Sequence, residues 1–165
     1  VAFDSSDITS TYDNYLMTFE DIQPGSGNVE MRMRLSIDNG SNYYDTGGDY
    51  RKICFAAVDN DSNGAVDSAY GTNEDFIMVA GNGQTCGNDA ALQIDGHMYL
   101  YSLNSGAYKK LINYTVYGGP EDPPKFVYNG QYHLFDATQT AVNNIKIYFS
   151  SGTLANGKIK LFGLA

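Results

Sequence analysis

The segment from Val29 to Asp38 alternates without an error: Val29, Met31, Met33, Leu35 and Ile37 are apolar, and Glu30, Arg32, Arg34, Ser36 and Asp38 are polar. Period two is the period of a β-strand, whose successive side chains point to opposite faces, so the segment predicts a strand with one face in a core and one in water. A lone strand buries nothing, and the rest of the chain must supply its partners.

It does so in the same idiom. Extended stretches with tyrosine and β-branched residues recur at 15–22, 50–58, 75–80, 97–103, 111–117 and 126–136, and their separators are rich in Asn, Asp and Gly. The turn 23–28, Gln-Pro-Gly-Ser-Gly-Asn, reads as the link of a hairpin or of neighbouring strands 15–22 and 29–38. The chain closes with 145–149 and 158–164 around a loop ending in Asn156-Gly157, which predicts a long-looped hairpin. About nine short strands in one chain predict an all-β fold, an antiparallel β-sandwich of the jelly-roll type, as a single domain over 1–165. The three prolines in the segment Gly118 to Pro124 predict an exposed loop and not a domain boundary.

Ten basic residues stand against 19 acidic ones, a net charge of −9, and such a field repels a phosphate backbone, so no nucleic-acid partner is expected. Fifteen of the acids are Asp, a turn residue, and part of the acidity therefore belongs to loops. No run of apolar residues is long enough to span a bilayer, so a soluble domain without membrane insertion is expected. Cys54 and Cys86 lack metal or redox spacing and are expected to be unpaired.

The sharpest chemical signal is Asp59-Asn60-Asp61-Ser62-Asn63-Gly64, with oxygens at alternate positions and a glycine where a calcium loop turns. The twelfth position, a bidentate Glu in an EF-hand, is Tyr70, and the flanks read as strand or coil. The segment is a solvated turn or a degenerate Ca²⁺ site with Asp59, Asp61, Asn63 and Asp67 as its first ligand set, Glu74 or Asp75 being the alternatives to Asp67; otherwise no cofactor is expected. The glycine-rich run 81–87 has the wrong spacing for a phosphate loop. His97 and His133 both sit in aromatic strand patterns, and the four glutamates at 20, 30, 74 and 121 give no reason to nominate an acid pair, so no catalytic residues and no enzyme activity are expected. Tyrosine offers a large rigid face and a hydroxyl at low entropic cost, and the loop residues Asn42, Tyr43 and Tyr44 are the candidate receptor-binding site.

The pattern as a whole resembles virion structural proteins and fibre-tip domains of tailed bacteriophages, of the marine and cyanobacterial type. The residues that carry it are Phe3-Asp4-Ser5-Ser6, Thr11 to Met17, the Pro24-Gly25 turn and Met31 to Ser41, then Gly81-Asn82-Gly83, Gly87-Asn88 and Ile94 to Tyr101. The end is the most specific part: Ile145 to Phe149, Ser151-Gly152, and Gly157 to Leu164 with its Phe-Gly-Leu. The resemblance implies a jelly-roll-like virion component, homotrimeric, on a tail fibre or the capsid surface, with other virion proteins as partners. It implies receptor binding to a host surface glycan or protein, with capsid decoration (cement on the major capsid protein) as the alternative and a glycan-degrading domain as a second. The acidic loop 59–67 and the proline-rich loop 120–124 are departures from the pattern and candidate binding features of this chain.

Overall fold

The computed structural model describes residues 1–58, 65–81, 86–89, 92–118, 126–134 and 140–165. Eleven strands follow one another: β1 (Ala2–Phe3), β2 (Asn14–Pro24), β3 (Met31–Ser36), β4 (Tyr50–Val58), β5 (Ala65–Glu74), β6 (Ile77–Ala80), β7 (Ile94–Tyr101), β8 (Leu111–Gly118), β9 (Phe126–Leu134), β10 (Asn144–Phe149) and β11 (Leu154–Leu164). They form two antiparallel sheets, a small one ordered β1-β10-β3-β6 and a large one ordered β11-β2-β7-β8-β9-β4-β5.

Without β8, β9 and β11, the large sheet reads β2-β7-β4-β5 against β1-β10-β3-β6. That is the strand order of a jelly roll, eight strands wound as two Greek keys. The β8–β9 pair is spliced into the middle of the large sheet between β7 and β4, and β11 is added beside β2. The expected all-β sandwich is therefore present, with eleven strands among the described residues in place of about nine. Among the described residues no helix is long and apolar enough to cross a membrane.

Two expected hairpins are absent. β2 and β3 lie in different sheets, and so do β10 and β11. In each case the intervening turn carries the chain across the sandwich, so alternation and turn chemistry identified the strands but not their partners. The Asn156-Gly157 signal is no hairpin turn either. It sits inside β11 at a register shift against β2, where Gly157 has φ 114° and an added Cβ would press on the Ile22 backbone at 2.7 Å.

The expected alternation holds from Met31 to Leu35, with Met31, Met33 and Leu35 buried and Arg32 and Arg34 on the outer face, but the strand ends at Ser36, which is buried and not on the wet face. In β2 the parity changes midway: Tyr15, Met17 and Phe19 face the core, and then Ile22 does. The switch is a bulge at which Asp21 adopts φ 53° while its N–H donates to Asp95 Oδ1 at 2.9 Å. Buried side chains of both sheets form one continuous core, from Tyr15 and Met17 on β2 to Ile145 and Ile147 on β10. Five tyrosines, Tyr15, Tyr50, Tyr114, Tyr128 and Tyr132, are among its largest fully buried members. Two of them stitch the sheets together: the Tyr50 hydroxyl accepts the Leu35 N–H at 2.9 Å and the Tyr132 hydroxyl accepts the Met78 N–H at 3.1 Å. Cys54 and Cys86 are both buried thiols rather than a disulfide, and burial pushes the Cys86 thiol up to about 12.

Candidate binding face

Of the expected calcium ligands, Asp59, Asp61 and Asn63 lie outside the described residues, as does the side chain of Asp67, a residue of β5 whose backbone pairs with Ala56 of β4. Among the described residues no three His, Cys, Asp or Glu side chains gather as a metal site.

The expected receptor loop lies beyond the end of β3, and its polar groups are turned inward. Asn42 donates from its backbone and its amide to the two Asp38 carboxylate oxygens at 2.8 and 2.7 Å. These bonds, with one from Ser36, hold the Asp38 carboxyl down at about 2. Tyr43 donates to Asn144 Oδ1 at 2.9 Å, and the Lys146 ammonium lies 5.4 Å from its ring centre. The Tyr44 N–H donates to the Leu35 carbonyl at 3.0 Å, and the Tyr44 carbonyl accepts the Tyr50 hydroxyl at 3.1 Å. The loop is thus a braced corner; Asn42 is exposed, while Tyr43 and Tyr44 are half-buried.

The outer face of the small sheet is likewise internally matched. Arg32 pairs with Glu30 at 2.6 Å and lies 4.1 Å from the Phe76 ring centre; Arg34 pairs with Asp75 at 3.1 Å and Asp45 at 3.4 Å.

The outer face of the large sheet is different. The pairing register sets Phe162, Leu16, Tyr99, Asn113, Gln131, Ile53 and Tyr70 side by side, one from each of the seven strands. The next row is Lys160, Thr18, His97, Thr115, Asn129, Phe55 and Ser68. At a strand spacing of about 4.8 Å, six gaps make each row roughly 29 Å long. Ile53 is 57% exposed, Phe55 51% and Tyr70 85%, while Asn113, Asn129 and Gln131 are exposed amides. Rings are already arranged on this face. Tyr99 and Tyr101 stack with centres 6.0 Å apart and planes at 13°, and His97 meets Tyr99 edge-on at 5.7 Å. The Thr115 hydroxyl donates to Asn129 Oδ1 at 2.6 Å, which fixes the amide's orientation.

Two adjoining hollows mark the β4 end. One, of about 360 Å³, is lined by Arg51, Lys52, Ile53, Tyr70, Leu111 and His133 among others. The other, of about 190 Å³, is lined by Phe55, Asn113 and Asn129 and shares Ile53 and Gln131 with the first. Burial and the neighbouring Arg51 and Lys109 depress the His133 imidazole below its ordinary value, so it is neutral at physiological pH. Aromatic and aliphatic surface interspersed with neutral amides and hydroxyls is suited to a ligand with apolar faces and many hydroxyls.

Sequence reasoning passed over this face, although a signal for it exists. In β7 the core parity is Met98 and Leu100, and the opposite parity is His97, Tyr99 and Tyr101; in β4 Ile53 and Phe55 flank the buried Cys54. Strands whose outward parity is also apolar or aromatic carry a surface with a purpose. Compared with known proteins, the chain matches no family model, no curated protein and no solved structure.

Proposed function

We propose that this chain is a receptor-binding module of a tailed-phage virion that recognises a host surface glycan through the outer face of its seven-stranded sheet. The supporting observation is the cross-strand row in which Tyr99, Ile53 and Tyr70 offer apolar surface to sugar rings and Asn113 and Gln131 offer donors and acceptors to hydroxyls. The face is built on strands, and a site on strands needs little ordering when it binds. A homotrimer, as the resemblance suggests, would present three equal faces and convert weak single contacts into avidity.

The test is adsorption. Purified protein should bind host cells and their extracted surface polysaccharide and should compete with phage adsorption, and Tyr99→Ala should weaken binding about tenfold while Tyr43→Ala, in the braced loop, leaves it unchanged. Failure of the purified protein to adsorb or compete would overturn the reading.

One observation favours a second reading, a capsid decoration protein using the same face. Ile53 and Phe55 are neighbours on one side of β4 and more than half exposed, which suits a protein surface as well as a sugar. Copy number separates the two: a few copies confined to the tail for a receptor-binding module, tens to hundreds over the head for a decoration protein.

A further inference from the structure

The two sheets end unequally on one side of the sandwich. β11, eleven residues long, closes the large sheet beside β2, whereas β1, which closes the small sheet, has two residues. β1 pairs with β10 at Lys146 and Ile145, and one more exchange follows: the Val1 nitrogen donates to the Ile147 carbonyl at 3.0 Å and the Ile147 N–H donates to the Val1 carbonyl at 2.8 Å. In an antiparallel ladder such exchanges recur at every second residue, so the Phe149 N–H and C=O point the same way as those of Ile147. Among the described residues no strand lies beside Phe149 on that side. Natural edges are blunted by lysine, proline or a bulge, but Tyr148 and Phe149 carry neither charge nor ring constraint on the backbone and run in unbroken register with β3.

The gap beside Phe149 is apolar as well as open. A hollow of about 250 Å³ lies there, lined by Met31, Ile147 and Phe149 of the small sheet, by Leu154 and Ile159 of β11 and by Val1. Leu154 and Ile159 pack against the core but are only partly covered. Ile147 and Phe149 both face inward, and a residue set opposite Phe149 in register would share that direction. From this juxtaposition we infer that the free edge of β10 is a strand-addition site. An extended segment of a second polypeptide lies antiparallel to β10 in line with β1, exchanges both backbone hydrogen bonds with Phe149, and sets a large apolar side chain into the hollow against Leu154 and Ile159. Its ladder continues the one that β1 and Val1 already make with β10. A lipid chain or a small apolar molecule would fill the hollow and leave the Phe149 backbone unmatched, whereas an added strand meets both halves, main-chain bonds for affinity and a pocket at alternate side chains for specificity. The hollow lies between the sheets, so its occupancy is independent of glycan binding on the outer face of the large sheet.

The experiment titrates the full chain with the capped peptide Lys-Thr-Leu-Thr-Leu-Thr-Lys, reading affinity from the anisotropy of a fluorescent label on the peptide and pairing from the hydrogen exchange of the Phe149 amide. The peptide should bind, and at saturation exchange at Phe149 should slow at least about tenfold. The same peptide N-methylated at both leucines, which removes the main-chain donors, should bind at least about tenfold more weakly, and so should one with aspartate in place of both leucines. Ile159→Gln, at a partly covered wall of the hollow, should cost about tenfold, while Tyr99→Ala, on the outer face of the large sheet, should cost nothing. The two altered peptides test the site on the unaltered protein, whatever Ile159→Gln does to the fold. Absence of binding at millimolar peptide, equal binding of the N-methylated peptide, or unchanged exchange at Phe149 would each overturn the inference. Self-association that protects Phe149 without peptide would also overturn it, with a second copy of the chain as the occupant.

Discussion

The hydroxyl of Tyr50, on the large sheet, accepts the backbone N–H of Leu35, on the small sheet, at 2.9 Å, and donates to the Tyr44 carbonyl at 3.1 Å. Leu35 lies beyond the reach of β6, whose pairing with β3 ends at Met33, so its N–H has no ladder partner on that side. A phenol delivered from the opposite sheet satisfies it, and the same phenol braces the loop that carries Tyr44. Burial pushes the Tyr50 hydroxyl far above its ordinary range and keeps it neutral.

Tyr50→Phe removes that oxygen and leaves a buried N–H unsatisfied, which costs about 1–3 kcal/mol. Urea unfolding should show a lower midpoint with an unchanged slope, and a midpoint equal to wild type would mean that the bond contributes nothing.

Gly130 sits on β9 opposite Tyr114 of β8 and Cys54 of β4, and a Cβ added there would land in the Tyr114 ring. Gly130→Ala should cost about 1–3 kcal/mol through overpacking. Combining it with Tyr114→Leu should cost less than the sum of the two single changes, and strict additivity would contradict the contact.

The Asp38 carboxyl is held at about 2 against an ordinary value of 3.8 by the Asn42 and Ser36 bonds. A depressed carboxyl contributes stability that is full above the unfolded value and is lost as pH falls through the folded one. Part of the acid destabilisation should therefore fall between 3.8 and about 2, and Asp38→Asn should flatten the stability profile in that window. An unchanged profile in the variant would contradict the assignment.

Cys54 and Cys86 should both resist a chromophoric thiol reagent in the native protein and both react after denaturation, because they are buried and the Cys86 thiolate is strongly disfavoured. Rapid native labelling of either would contradict their placement.

The strands of this fold were legible where one face is buried and one wet, as in β3, and at β4, where the expected limits 50–58 match the structure. β5 was not anticipated, because Ala-Val-Asp-Ser-Ala-Tyr-Gly-Thr-Asn-Glu has turn composition and owes its extension to pairing along β4. Sheet membership was not legible either: a turn such as 23–28 reads the same whether it reverses a strand within one sheet or carries it to the other. The tyrosines show why the candidate face was missed. Tyr114 and Tyr117 lie on one strand, one fully buried and one half exposed, and composition alone cannot sort them. The loop Asn42 to Tyr44 drew notice because polar aromatic loops often bind, but its hydrogen bonds close on Asp38, Asn144 and Leu35.

On the proposed reading ligand meets the outer face of the large sheet. Backbone amide shifts of the labelled protein, followed while host surface polysaccharide is titrated, locate the contact residue by residue. Perturbations should concentrate at Tyr99, Asn113, Gln131 and Ile53 and their neighbours on β7, β8, β9 and β4. Perturbations confined to the 38–44 loop or to β3 and β10, or none at saturating polysaccharide, would contradict it.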